Sequence, residues 1–273
     1  MCFSISKSNT FNLADTLLCG QIFRYKIDGQ NYIVISKDKY LTAKEVSGVY
    51  YCNSNDDEYF KNFLHLDYDY PTLVSRFAKD RTLTKAIQYS SGIHILKQDP
   101  FEMIVSFLIS QNNNIPRIQS TIEKMCSALG NKIEGTDFYS FPTCEILANA
   151  DLSPFGLGYR DTYISETCKS LLNINLDELK ALETKDLYNY LISFKGVGPK
   201  VANCILLFGF GKYDVFPVDT WILKVFNTSN AEKLTKELET KYGMFSGFVQ
   251  QWLFYFKRSA PVAQGIEQQS PEL

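Results

Sequence analysis

The spacing of apolar residues divides the chain into a β-rich beginning and a helical remainder. In YKIDGQNYIVIS, the pair Asp28-Gly29 separates two runs of β-forming residues, which is a strong hairpin signal. A second pair of short strands surrounds Ser47-Gly48. Residues 56–90 show the wider apolar spacing of helices. We therefore predict an antiparallel sheet accompanied by one or two helices.

From Asp99 onward the apolar spacing is helical nearly throughout. Asp99 is a candidate N-cap with Pro100 at the first helical position, and the dense apolar residues after them predict a buried helix. The next helix ends at Gly130. Further helices are predicted over residues 159–173, 183–194, 199–209, 219–227, 231–241 and 245–257.

These patterns predict an α+β protein in which an antiparallel β-sheet lobe precedes a mostly α-helical lobe. We place the sheet lobe at residues 1–95 and the helical lobe at residues 96–258. Residues 259–273 are rich in Gln, Pro and Ser and lack periodicity, so a mobile tail is expected there.

Composition narrows the class of protein only a little. The formal net charge of −2 gives no sign of a nucleic-acid partner, so any DNA contact must come from a local patch or from backbone groups. The seven cysteines are scattered without CxxC spacing and there are two histidines, so neither a metal site nor a cofactor is expected. No signal peptide or membrane-spanning run is recognisable, which favours a cytoplasmic protein with no membrane partner, nucleoid-associated if the source is bacterial. A monomer is the default expectation.

The stretch LISFKGVGPK, which ends at Lys200, carries the most chemical information. A helix is predicted to end at Phe194, the segment Gly196-Val197-Gly198 reverses the chain, and Pro199 starts a second helix. Backbone N–H groups at such a helix start form an anion site, for which a DNA phosphate is suitable. We expect this turn to hold the DNA backbone without sequence preference.

Lys200 is a candidate nucleophile and Asp219 is its candidate partner. The positive end of the helix dipole and neighbouring Lys195 are expected to lower the pKa of Lys200, as a neutral nucleophilic amine requires. The alternative is an ordinary solvated lysine. Asp219 precedes the helix TWILKVF and is a candidate N-cap. A capping carboxylate is also fixed in position, and it can stabilise a developing sugar cation.

The hairpin, the lysine and the Pro-Val-Asp segment together resemble the helix-hairpin-helix base-excision glycosylases. Within that superfamily the chain is most similar to the 8-oxoguanine DNA glycosylases. The resemblance extends from about Asn12 to Arg258 and rests on four separated blocks, namely LCGQIFRY, KQDPFEMIVSFLISQNNNIPRI, FGLGYRDTYI and SGFVQQWLFYF.

The resemblance implies a set of residues that recognise the damaged base. Gly20 would offer its carbonyl to the N7–H that distinguishes 8-oxoguanine from guanine. Gln250 would contact the Watson–Crick edge and Phe254 would stack on the base, with Cys204 on the other face and Phe107 in the pocket wall. Gln250 and Phe254 share one helix face at this spacing. Without the resemblance, Phe254 would be interpreted as a core residue.

The resemblance also implies a set of DNA-contacting residues. Asn112 would fill the space left by the flipped base, Tyr159 would act as a wedge, and Arg117 and Arg160 would bond the orphaned cytosine. Arginine suits base edges because its donors form a rigid fork. Surface ion pairs are the alternative for both arginines. The sequence departs from the pattern at Trp221, where some members have histidine, and it lacks the cysteine cluster of the iron–sulfur glycosylases.

Taken together, these blocks imply a glycosylase with associated lyase activity that removes 8-oxoguanine from double-stranded DNA, preferably opposite cytosine. Two alternatives remain at this point. A glycosylase for alkylated bases would keep the hairpin and the aspartate, usually without a lysine at this position. A non-catalytic helix-hairpin-helix module would bind damaged and intact duplexes about equally. A generic α/β enzyme acting on a small molecule is a weaker third possibility, because no nucleotide-binding loop is present.

Overall fold

The structure is a computed structural model that describes residues 2–260. A five-stranded sheet comes first along the chain, and helices make up most of the remaining residues. The strands are β1 (Cys2–Ser6), β2 (Tyr25–Asp28), β3 (Asn31–Ser36), β4 (Lys39–Val46) and β5 (Val49–Ser54). The helices are α1 (Leu13–Leu18), α2 (Asp57–Phe63), α3 (Tyr70–Phe77), α4 (Thr84–Ser90), α5 (Pro100–Ser110), α6 (Ile115–Leu129), α7 (Cys144–Asn149), α8 (Arg160–Leu171), α9 (Leu176–Ala181), α10 (Thr184–Ile192), α11 (Pro199–Phe208), α12 (Thr220–Val225), α13 (Ala231–Tyr242) and α14 (Ser246–Ser259).

The sheet is antiparallel throughout, with strand order β1-β5-β4-β3-β2. Both predicted turns are present, and Gly29 and Gly48 adopt the left-handed conformations that such turns require. The α+β class is confirmed. Helices α7 and α9 were not predicted, and the N-terminal region differs from the prediction in two further details. Residues 56–90 form three helices instead of one or two, and β1 and α1 had no predicted counterpart.

The apolar side chains form two main cores. The smaller core lies between the sheet and helices α1 and α2. The larger core is built around α5 and α11, in which the stretches Glu102–Ile109 and Val201–Phe208 are entirely buried. Side chains of α3 and α4 also belong to this larger core. The division at residues 95 and 96 stays a prediction, and the predicted tail lies outside the described residues from position 261 onward.

A buried ion pair fixes the sheet against the start of α5. Arg24 Nη1 lies 3.6 Å from Glu102 Oε1, and the Lys37 backbone N–H donates to Glu102 Oε2 at 3.0 Å. Burial raises the pKa of Glu102 to about 7. Since Phe107 lies further along the same helix, this contact helps to set its position relative to the sheet.

Two features are absent from the described part of the chain. None of the helices within residues 2–260 is long and apolar enough to cross a lipid bilayer. The same residues contain no cluster of three or more His, Cys, Asp or Glu side chains arranged to hold a metal ion.

Candidate active site

The turn between α10 and α11 lies where the sequence predicts it, and its two glycines differ. Gly196 has φ +83°, and a Cβ added there would lie 2.2 Å from Cδ2 of Tyr163. Only glycine fits this position. Gly198 instead has φ −90° with open space around it, so a residue with a side chain would also fit at that position. Val197 is buried, and its N–H donates to the Phe194 carbonyl. This N–H is therefore not free to bind a phosphate.

Lys200, at the start of α11, is close to three of the other residues expected at the site. Its ammonium lies 5.7 Å from the centre of the Phe107 ring, and Cys204 and Asp219 lie near enough to act on its charge. Phe107 and Cys204 are buried, whereas part of the Lys200 residue is exposed to solvent. Phe107 is itself fixed by stacking on Phe208. The candidate nucleophile therefore packs against the apolar Phe107 ring, while part of the residue stays exposed to solvent.

The expectation of a lowered pKa for Lys200 is wrong in this DNA-free structure. Interaction with Cys204, and more weakly with the Asp219 carboxylate, raises the pKa of Lys200 even though burial acts in the opposite direction. Lys195, which was expected to lower this pKa, is paired with Glu166 of α8 at 3.1 Å. Lys200 is consequently held as an ammonium and must lose a proton before it can act as a nucleophile.

Asp219 is the N-cap of α12, as predicted. Its Oδ1 accepts both the Trp221 N–H and the Ile222 N–H at 2.9 Å. Its Oδ2 has no donor among residues 2–260 and is left for a ligand or for Lys200. Trp221, at the position where some family members have histidine, lies 4.7 Å below the Lys224 ammonium, so a positive charge is still present there.

A second group of predicted residues surrounds Gly20 and α14. Gln250 is buried, and its Oε1 has no donor within the described residues. Phe254 follows one turn later on α14, and its ring contacts the position that a Gly20 Cβ would occupy, at 3.3 Å. Gly20 has φ +86°, in the left-handed region. An unsatisfied buried acceptor costs about 1–3 kcal/mol, so this oxygen is available to accept a hydrogen bond from a ligand.

The predicted DNA-contacting residues form a third group, at the connection of α5 to α6 and the start of α8. Asn112 Nδ2 donates to the Tyr159 hydroxyl at 3.2 Å, and both residues are exposed. Arg160 is 8 % exposed and donates to the carbonyls of Gln111 and Asn112, and also to that of Leu157.

Arg117 differs from Arg160 in its exposure and bonding. It is exposed, and its side chain makes a single long contact of 3.4 Å to the Gly156 carbonyl. Its other guanidinium donors have no protein acceptor within residues 2–260.

Four residues that the sequence did not single out contact these groups. Tyr163 and Glu166 support the turn from α8, on the helix face that begins at Tyr159. Gln251 and Arg258 of α14 bond the backbone next to Gly20. Helical spacing from Tyr159 could have indicated the first pair. Nothing in the sequence indicates the second pair, because its acceptors are backbone carbonyls far away in the chain.

Comparison with known proteins identifies relatives of this chain. Residues 3–104 match the family described as the N-terminal domain of 8-oxoguanine DNA glycosylase. The N-glycosylase/DNA lyase of Saccharomyces cerevisiae is 31 % identical over 84 % of this chain and 72 % of its own length. A probable N-glycosylase/DNA lyase of Methanothermobacter thermautotrophicus is 30 % identical over 70 % of this chain and 72 % of its own length.

Solved structures show the same fold. The structure named MBOgg1, in complex with a low-affinity DNA ligand, has a TM-score of 0.88 and 31 % identity, covering 94 % of this chain and 95 % of that one. The 8-oxoguanine glycosylase/lyase of Clostridium acetobutylicum, bound to duplex DNA with cytosine opposite 8-oxoguanine, has a TM-score of 0.85 and 33 % identity over 94 % and 97 % of the two chains.

The fold is therefore that of a DNA glycosylase. More particularly, the chain belongs to the 8-oxoguanine DNA glycosylase family of N-glycosylase/DNA lyases, as the resemblance in the sequence implied.

Proposed function

We propose that this protein is a bifunctional DNA glycosylase and abasic-site lyase that excises 8-oxoguanine from duplex DNA, preferably opposite cytosine. Lys200 is the nucleophile and Asp219 is its partner carboxylate. The observation that carries this proposal is the contact of the Lys200 ammonium with Cys204 and Phe107, within the electrostatic influence of the Asp219 carboxylate. Displacement of a base from a sugar requires an amine nucleophile, apolar surroundings and a carboxylate held in a fixed position.

The first step breaks the bond between the sugar and the base. The damaged nucleotide is flipped out of the helix into the pocket, as enzymes that act on a base within a duplex require. Lys200 loses a proton, and its amine forms a bond to C1′ while the N-glycosidic bond breaks. The departing base takes the bonding electrons and a proton. The free oxygen of Asp219 stabilises the positive charge that develops on the sugar.

The second step cleaves the strand. Opening of the sugar ring converts the Lys200 adduct into a Schiff base, which makes the C2′ proton acidic. Loss of that proton expels the 3′ phosphate by β-elimination, and hydrolysis of the imine then frees Lys200.

Three kinds of contact support recognition of the damaged base and its partner strand. Gln250 presents a buried acceptor without a donor, and Phe254 lies one turn away for stacking. Arg117 has free donors for the cytosine left behind. The turn at Gly196, Val197 and Gly198 stands at the N-terminus of α11, where a backbone phosphate is favoured.

The test is single-turnover cleavage of a duplex that carries one 8-oxoguanine opposite cytosine, with Lys200→Gln as the matched variant. We expect strand scission by the wild type and none by the variant. A wild type that binds this duplex without cleaving it would contradict the proposal and would favour a non-catalytic module. Excision confined to alkylated purines would favour the other class of glycosylase.

A further inference from the structure

The segment that joins α1 to β2 is fastened to the protein through its carbonyl groups. The Leu18 carbonyl accepts a hydrogen bond from Arg258 Nη2, and the Cys19 carbonyl accepts one from Gln251 Nε2 at 2.8 Å. Two residues later, the Gln21 carbonyl accepts one from Gln98 Nε2 at 2.8 Å. Within residues 18–21, the Gly20 carbonyl alone has no donor among the described residues of the chain.

Two of these three donors belong to α14, the helix that also carries Gln250 and Phe254. Gln251 is buried directly beside Gln250 in sequence, with 2 % of its surface exposed. The Arg258 guanidinium lies 5.1 Å from the centre of the Phe254 ring. Helix α14 therefore contributes two of the residues proposed to contact the base. It also donates hydrogen bonds to the carbonyls of both residues that precede Gly20.

The packing around Gly20 leaves little room for this segment to move. A Cβ added to Gly20 would lie 2.8 Å from Arg258 Nη1 and 3.7 Å from Cδ1 of Ile115. Nη1 of Arg258 is buried without an acceptor within residues 2–260. The Arg258 guanidinium and the Phe254 ring therefore close the space beside Gly20.

We propose that Gln251 and Arg258 are positioning residues for recognition of the damaged base. By holding the Cys19 and Leu18 carbonyls, they keep the Gly20 carbonyl free and at a fixed place relative to Gln250 and Phe254. This inference rests on the proposed function. The carbonyl distinguishes 8-oxoguanine, whose N7 donates a proton, from guanine, whose N7 can only accept one. Because a hydrogen bond weakens steeply with distance and angle, discrimination by a single acceptor depends on its placement.

The experiment measures binding in the Lys200→Gln background, so that no substrate is consumed. Affinities are compared for three duplexes that carry 8-oxoguanine, guanine or a tetrahydrofuran abasic analogue opposite cytosine. Gln251→Leu, which keeps the side-chain volume and removes the donor, should reduce the preference for 8-oxoguanine over guanine by about tenfold. The affinity for the abasic analogue, which has no base to recognise, should stay within about twofold.

Arg258 supplies a matched pair of variants. Arg258→Lys keeps a donor and a charge and should retain most of the preference, whereas Arg258→Met should lose it. Circular dichroism melting identifies any variant that has simply unfolded, and the abasic analogue then reports whether the remaining DNA surface is intact.

The possible results separate the inference from the function on which it rests. Absence of any preference for 8-oxoguanine in the Lys200→Gln protein itself would contradict the proposed function. A preference that survives both Gln251→Leu and Arg258→Met would overturn the positioning role alone. An equal loss of affinity for all three duplexes would also overturn it, because it would show a general structural role.

Discussion

The region around Lys200 and the region around Arg160 differ in how completely the protein satisfies its own polar groups. Near Lys200 and the base pocket, the buried Gln250 Oε1 has no donor among residues 2–260. Two acceptors of half-buried residues, Asp219 Oδ2 and the Gly20 carbonyl, also accept no hydrogen bond from these residues. Near Arg160, the guanidinium already bonds three backbone carbonyls. We expect a ligand to complete the bonding of the free acceptors, whereas an arginine whose donors are already satisfied is expected to serve as scaffold. The comparison therefore predicts a ligand-binding role for the first region and a structural role for Arg160.

The largest effect is expected from Asp219→Asn. Asparagine is as good an N-cap as aspartate, so the melting temperature should change little. The loss of the negative charge should reduce the single-turnover excision rate by about 10³-fold, because the developing sugar cation loses its stabilising partner. Rapid-quench kinetics with 8-oxoguanine opposite cytosine measures this rate. A reduction of less than threefold would show that Asp219 is only a cap.

Arg160→Met should act on stability. The variant leaves three carbonyls without their donor and removes a buried charge, so the free energy of unfolding should fall by about 3 kcal/mol. Urea denaturation measures the change. If the free energy of unfolding falls by less than about 1 kcal/mol, Arg160 is not a structural scaffold, and its bonds are readily exchanged for bonds to DNA.

Arg117→Met is the matched control for Arg160 in the same region. Because Arg117 is exposed and makes one long contact, the free energy of unfolding should stay within about 0.5 kcal/mol of the wild type. The preference for cytosine over adenine opposite the lesion should fall by about tenfold. Single-turnover rates on the two duplexes give this preference. An unchanged ratio would assign recognition of cytosine to other residues.

The smallest expected effect concerns the pH dependence of excision. Since Cys204 and Asp219 raise the pKa of Lys200, the neutral amine is scarce at pH 7 and its fraction increases with pH. The wild-type rate should therefore rise between pH 6 and pH 9. Cys204→Ala removes the larger of the two causes, so its rate at each pH in this range should be a few-fold higher than that of the wild type, with the same dependence on pH. A wild-type rate that stays level or falls over this range would show that loss of the Lys200 proton does not limit excision.

Much of the fold was predictable because its elements carry local signals. Glycine turns located the two hairpins, and Asp99 with Pro100 located the start of α5. Helices α7 and α9 have six residues each and span too few turns for a clear period, so no helix was predicted at either place. Strand β1 is partly exposed and depends on pairing with the distant strand β5, in which Asn53 is the partner of Cys2.

The site was predictable in its residue types and less so in its electrostatics. Lys200 does lie close to Cys204 and Phe107. Asp219 caps α12 as expected. The direction of the Lys200 pKa shift was wrong, because Cys204 and Asp219 both raise this pKa and together outweigh burial. Sequence spacing places Cys204 one turn after Lys200 on α11, whereas the approach of Asp219 depends on contacts between helices.

The proposed mechanism depends above all on Lys200 forming the covalent intermediate. Borohydride reduction during the reaction with an 8-oxoguanine duplex, followed by proteolysis and mass spectrometry, tests this role of Lys200. We expect a DNA adduct on the peptide that contains Lys200 and no adduct with Lys200→Gln. An adduct at Lys195 or Lys212, or none with the active wild type, would contradict the mechanism.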